Sequence, residues 1–181
     1  MATKREMEFP RINFVAIIAG AFFLASLFLP WWGLDVTGVV GQTSSWSLWS
    51  GPSRIYTGSA DSAQTLTTYS PYIGALVIAA AILLLVGIVP KGSRLIIGGS
   101  ILAVVAPIAY ALIVNNAVSI ACSGMSNCIS GPFGTQTNTA GPFTITVSWG
   151  FQPGFYLEVV GAVLSIIAIA FHRTYLSRKS S

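Results

Sequence analysis

Charge is what this sequence has least of. Only 8% of its 181 residues are Asp, Glu, Lys or Arg, against about a quarter in ordinary soluble domains. A water-facing globular surface cannot be built from so little, so the soluble class is excluded. Acid–base equipment is equally sparse: five acids and one histidine, His172. Catalysis needs a positioned acid or base, or a nucleophile with its base, and no such cluster converges anywhere in the chain. Neither a phosphate-cradling glycine motif nor a helical pair of metal ligands occurs, so the chain reads as non-enzymatic and without a cofactor. Two cysteines, Cys122 and Cys128, are too few to hold zinc without further Cys or His ligands.

What is abundant is apolar surface: 54% of the residues are hydrophobic and the mean hydropathy is +0.75. Four runs, about 12–29, 72–89, 95–114 and 155–171, contain no Lys, Arg or Asp, and only Glu158 carries an acid. About 20 helical residues cross a hydrocarbon core of about 30 Å, so the spacing predicts four transmembrane helices in one domain, 1–181. The basic prelude MATKREMEFPR resembles a signal-peptide start. The apolar run after it is too long for one and lacks a small-residue cleavage site, so it reads as an anchor.

Eight of the nine basic residues sit in three places. Lys4, Arg5 and Arg11 precede the first run, Lys91 and Arg94 lie between the second and third, and Arg173, Arg178 and Lys179 follow the fourth. Four spans put all three places on one side, which the positive-inside rule makes cytoplasmic. The expectation is therefore a multi-pass protein of the cell membrane with both termini cytoplasmic. Its two long loops, about 33–70 and 115–153, are then extracellular. The basic residues orient the chain toward membrane lipids; they form no aromatic-interleaved patch of the kind nucleic acid requires.

The loops carry strand signals. In PFTITVSWG, Phe143, Ile145, Val147 and Trp149 alternate with Thr144, Thr146 and Ser148, the period of a strand with one apolar face. Weaker strand candidates in the first loop are LDVTGVV, WSLW, RIYT and TLTTY. Strands are not stable singly, so the two loops are expected to pair into a small antiparallel sheet. Cys122 and Cys128 enclose five residues on the non-cytosolic side, which favours a disulfide.

Four of the five tryptophans fall within residues 31–49. Trp31 and Trp32 follow Pro30 at the end of the first run, where amphipathic rings favour the membrane interface. Trp46 and Trp49 lie deeper in the loop, positioned to plug the sheet or to anchor a partner. LPWW at the end of the first run is similar to the L-P-x-W exit of claudins, and WSLW resembles a shortened form of their W-x-x-L-W signature. The resemblance implies the left-handed four-helix bundle with an extracellular sheet of the claudin and peripheral myelin protein superfamily. It also implies lateral or cell-to-cell assembly through that sheet. Claudins carry their Cys pair in the first loop, whereas here the pair is in the second.

Small residues at four-residue spacing occur in each run: Ala16 and Gly20, Ala75 and Ala79, Gly99 and Ala103, Gly161 and Ser165. They allow close helix approach in lipid. Glu158 has two readings, an ion or proton site within the membrane or a boundary carboxylate satisfied by Arg54. The functional expectation is a structural or interaction protein that self-associates or docks to another envelope protein. An accessory subunit of a larger complex and an oligomeric channel are the alternatives.

Overall fold

A computed structural model describes residues 12–38, 41–51, 60–89, 92–123 and 128–176. Helix α1 (Phe14–Ser26) leads into strands β1 (Trp32–Thr37) and β2 (Gln42–Trp46). Helices α2 (Ala60–Val86) and α3 (Ser93–Ala121) follow, then strands β3 (Gly134–Ala140) and β4 (Phe143–Phe151). Helix α4 (Pro153–Phe171) closes the chain with a π-helical turn over His172–Leu176. Three helical stretches, Thr65–Val86, Ser93–Ala121 and Pro153–Thr174, are long and apolar enough to cross a membrane. This is a membrane protein.

The first helix is shorter than its apolar run. α1 has 13 residues, about 20 Å at the helical rise, where the run predicts 12–29. Asn13 starts it by accepting the Ala16 N–H at 3.1 Å, an N-cap. Its end is set by Pro30, which disfavours helical backbone at the preceding residue. Phe28 and Leu29 accordingly donate to the carbonyls of Ala25 and Ser26 in tightened turns.

The second helix is longer than its run. α2 begins at Ala60, not at Tyr72, and TLTTY is helical rather than a strand. The buried positions Leu66, Ser70, Ile73 and Val77 recur at helical spacing, and that stripe overrides the β-preference of the threonines. α3 likewise runs to Ala121 through Pro107, so both long loops are shorter than the expected 33–70 and 115–153. RIYT and Arg54 lie outside the described residues.

The four strands form one antiparallel sheet in the order β2-β1-β4-β3. Its central pair continues the α1–α4 pair, because β1 leaves α1 and β4 enters α4. Three backbone bonds pin the junction: Trp31 N–H to the Trp46 carbonyl (2.8 Å), Gln152 N–H to that of Trp31 (3.0 Å), and Gly154 N–H to that of Pro30 (2.8 Å). Gly154 is obligatory there, since a β-carbon on it would stand 2.6 Å from Trp31 Cδ1 and 2.8 Å from the Pro30 carbonyl oxygen.

Of the small-residue pairs, Ala16, Gly20, Gly99, Ala103, Gly161 and Ser165 are buried in the bundle. The expectation for α2 is corrected: Ala75 is exposed and Ala79 only half-buried. α2 turns Gly74, Val77, Ala80, Ala81 and Leu84 inward instead.

Candidate functional site

The sheet has two chemically opposite faces. Cross-strand partners point to the same side and successive residues to opposite sides. The register pairs Trp32 with Trp46 and Phe151, Leu34 with Trp149, and Val36 with Val147. These residues share one face with Ile145 and Phe143 further along β4. The other face is almost entirely hydroxyl. Thr135 and Ser148 lie side by side with their oxygens 3.2 Å apart, and Thr137 and Thr146 at 3.1 Å. Thr37 also donates to the Thr146 carbonyl at 3.3 Å. β3 contributes Thr135, Thr137 and Thr139 to this face, and Gly134, Gln136 and Asn138 stand opposite Trp149, Val147 and Ile145 on the other, so hydropathy along the chain does not reveal it as a strand.

The apolar face is covered at its base and open at its tip. Cys122 and Cys128 are bridged, with Cα atoms 5.5 Å apart, and the chain leaving the bridge folds across the tryptophans. Trp32 Nε1–H donates to the Pro132 carbonyl at 2.7 Å, and Trp149 Nε1–H to that of Gly131 at 3.2 Å. Trp46 is buried with its ring 4.9 Å from that of Trp32. At the other end of the face, Phe143 is 54% and Ile145 43% exposed.

The tryptophans do not all sit as their positions in the chain imply. Trp31 is fully buried and Trp32 nearly so; neither ring lies at the surface where an interfacial anchor belongs. Trp31 packs edge-on to Tyr110 at 5.0 Å and Phe155 at 5.9 Å, sealing the sheet end of the bundle. Trp49 is half-exposed and packs against α2, where a β-carbon on Gly74 would meet its ring at 2.6 Å. WSLW is not a strand throughout. β2 ends at Trp46, and the next residues bend around Ser47, whose hydroxyl accepts the N–H groups of Trp49 (3.2 Å) and Ser50 (2.9 Å).

Glu158 is fully buried, in the second turn of α4. Its partner among the described residues is the hydroxyl of Ser26, 3.0 Å from Oε2. That hydroxyl has one hydrogen, and the Phe23 carbonyl at 2.8 Å competes for it. Among the described residues Oε1 has no hydrogen-bond partner, nor does the buried hydroxyl of Tyr110. Sequence reasoning missed both Ser26 and Tyr110. Ser26 is 132 residues from Glu158, and only the α1–α4 crossing brings them together. Among the described residues no group of three or more His, Cys, Asp or Glu side chains could hold a metal ion.

No protein-family model and no curated protein matches this chain.

Proposed function

We propose that the chain is a non-enzymatic four-span membrane protein, a left-handed bundle with cytoplasmic termini and an extracellular sheet. On this reading α1, though short, is the fourth span, and the positive-inside rule sets the orientation. The protein assembles laterally or between cells through the sheet, as the resemblance to claudins in LPWW and WSLW implies. The observation that carries the reading is the unfinished apolar face. A row of side chains buried at Trp32, Trp46 and Trp149 runs on to Phe143 and Ile145, which remain about half exposed. Contiguous exposed apolar surface beyond the lipid-facing helices marks an interaction site.

The tip, not the tryptophan row, is the place to test this. Trp46 is part of the core, so replacing it perturbs packing before it perturbs any contact. Changing Phe143 and Ile145 together to Ser removes the exposed apolar tip and leaves the buried base intact. Native mass spectrometry after gentle extraction from the protein's own membrane is expected to show homo-oligomers for the wild type and monomers for the double variant. Wild-type monomers, or oligomers that survive the double substitution, would overturn assembly through this face. Stoichiometric foreign subunits lost on the same substitution would make the chain an accessory component that docks by the same tip.

A further inference from the structure

We infer that two copies of the chain join edge to edge through β3, antiparallel about Thr137, so that their four-stranded sheets become one. Given assembly through the sheet, on which this rests, the partner is a second copy and the contact is the outer edge of β3.

β3 is a terminal strand of the sheet. Which of its backbone groups face outward follows from the ladder. Gln152 N–H donates to the Trp31 carbonyl, so even-numbered residues of β4 bond to β1. By the alternation of antiparallel pairs, odd-numbered ones bond to β3. Gly134, Gln136 and Asn138 are thus the residues of β3 that bond to β4, and Thr135, Thr137 and Thr139 turn their N–H and C=O groups to the edge. The side-chain oxygen contacts of Thr135 with Ser148 and of Thr137 with Thr146 mark these as the closer, non-hydrogen-bonded pairs.

Exposed edges are ordinarily blunted by a charge, a proline or a bulge. GTQTNTA has neither charge nor proline, its register on β4 is continuous, and Thr135, Thr137 and Thr139 are exposed. TQTNT also reads nearly the same in both directions. A two-fold axis at Thr137 sets Thr135 against Thr139, the amide of Gln136 against that of Asn138, and Thr137 against itself, as an isologous contact requires. β2, the other edge, is shorter, and QTSSW has no such symmetry.

That register also completes the apolar face. Phe143 and Ala140 of one copy fall in line with Gly134 and Trp149 of the second copy. The Trp149 ring already reaches over Gly134, where a β-carbon would stand 2.6 Å from it. The exposed Phe143 of each copy therefore meets the indole of the other. A short strand pair is marginal by itself; the edge bonds set the register, and burial of the tip supplies the affinity.

The test is oxidative cross-linking of full-length variants in native membranes, with the Cys122–Cys128 bridge left in place, read on non-reducing gels. At the two-fold axis the α-carbons of position 137 stand about 5.5 Å apart, within disulfide reach. The two copies of position 135 lie about 14 Å apart along the strands. Thr137→Cys is expected to give at least tenfold more covalent dimer than Thr135→Cys, and co-expressed Thr135→Cys and Thr139→Cys chains to cross-link to each other. Thr137→Pro removes an N–H that β4 does not use, and is expected to abolish dimers with tryptophan emission unchanged. Wild-type oligomers by native mass spectrometry, with Thr137→Cys cross-linking no better than Thr135→Cys, would overturn the edge and leave assembly through the tip standing. So would dimers that persist in folded Thr137→Pro; if that variant does not fold, the cysteine register decides. Wild-type monomers would overturn both.

Discussion

The bundle is made of two helix pairs that solve the same packing problem differently. α2 and α3 are neighbours in sequence, joined by a turn of a few residues, and meet along small and branched apolar side chains. A β-carbon on Gly99 of this pair would come within 3.0 Å of the Ala80 carbonyl oxygen. Its buried side chains with polar groups among the described residues, Ser70, Ser100 and Tyr110, include one that turns back on its own helix, Ser100 donating to the Ile96 carbonyl at 2.9 Å. α1 and α4 stand at opposite ends of the chain and carry Asn13, Ser26, Glu158, Ser165 and His172 in their buried surfaces. Two of these bonds cross between the helices: Ser26 to Glu158, and Asn13 Nδ2–H to the Ala168 carbonyl at 2.9 Å. Helix association in lipid lacks the hydrophobic drive that works in water and leans on close packing and hydrogen bonds. A hairpin needs little more than close packing, because its connection already holds the two helices together. The distant pair adds polar contacts that fix its register, and the sheet grows from that fixed junction.

The largest expected effect tests the tightness of the distant pair. A β-carbon on Gly161 would stand 2.5 Å from Phe23 Cε1, whereas on Gly98 of the hairpin the nearest atom is Leu83 Cδ1 at 3.7 Å. Gly161→Leu is expected to cost about 3 kcal/mol or more. Gly98→Ala is expected to be neutral or to stabilise by up to about 1 kcal/mol. Reversible unfolding in mixed micelles measures both, and equal costs would remove the distinction between the pairs.

Polar bonding comes next. Asn13→Leu deletes both the cap on α1 and the bond to α4, and is expected to cost about 2 kcal/mol. Ser100→Ala removes a bond internal to one helix and is expected to cost less than about 0.5 kcal/mol. The same unfolding assay reads the contrast, which collapses if Asn13→Leu is as mild as Ser100→Ala.

Removing the disulfide, by changing Cys122 and Cys128 together to Ser, is expected to cost about 2 kcal/mol because the closed loop is short. The loss is local to the sheet. The carbonyls of Gly131 and Pro132 would leave Trp149 and Trp32, so tryptophan emission shifts to the red while helical circular dichroism stays constant. Loss of helical signal in parallel would mean that sheet and bundle unfold as one unit. The smallest effect on stability, under about 0.5 kcal/mol, is expected from the Phe143→Ser and Ile145→Ser double variant, whose consequence is for assembly alone.

Much of this was legible along the chain. β4 announces itself by strict alternation from Phe143 to Trp149, and its turn partner was detectable too. Ala140 pairs with Phe143 across Gly141 and Pro142. Gly141 takes φ = +61°, a conformation that glycine adopts freely. Beyond that turn, TQTNTA alternates Thr with Gln and Asn, a β-branched pattern without an apolar face. Hydropathy was the wrong measure for it. TLTTY misled for the opposite reason: its threonines favour strands, yet Leu66 and Ser70 belong to a stripe that continues into Ile73 and Val77.

The sequence by itself determined that the chain lives in a membrane, that its middle apolar runs fold as a hairpin, that β4 is a strand and that the two cysteines are close enough to bridge. Each of these depends on composition or on residues near one another in the chain, where local periodicity and a short connection decide. Only the tertiary structure decided that Trp31 is buried, that Glu158 meets Ser26, and that one face of the sheet is hydroxyl while the other ends in exposed Phe143 and Ile145. Those facts come from the crossing of α1 and α4 and the register of β1 on β4. Both join residues more than a hundred positions apart, and no local pattern in the sequence encodes them.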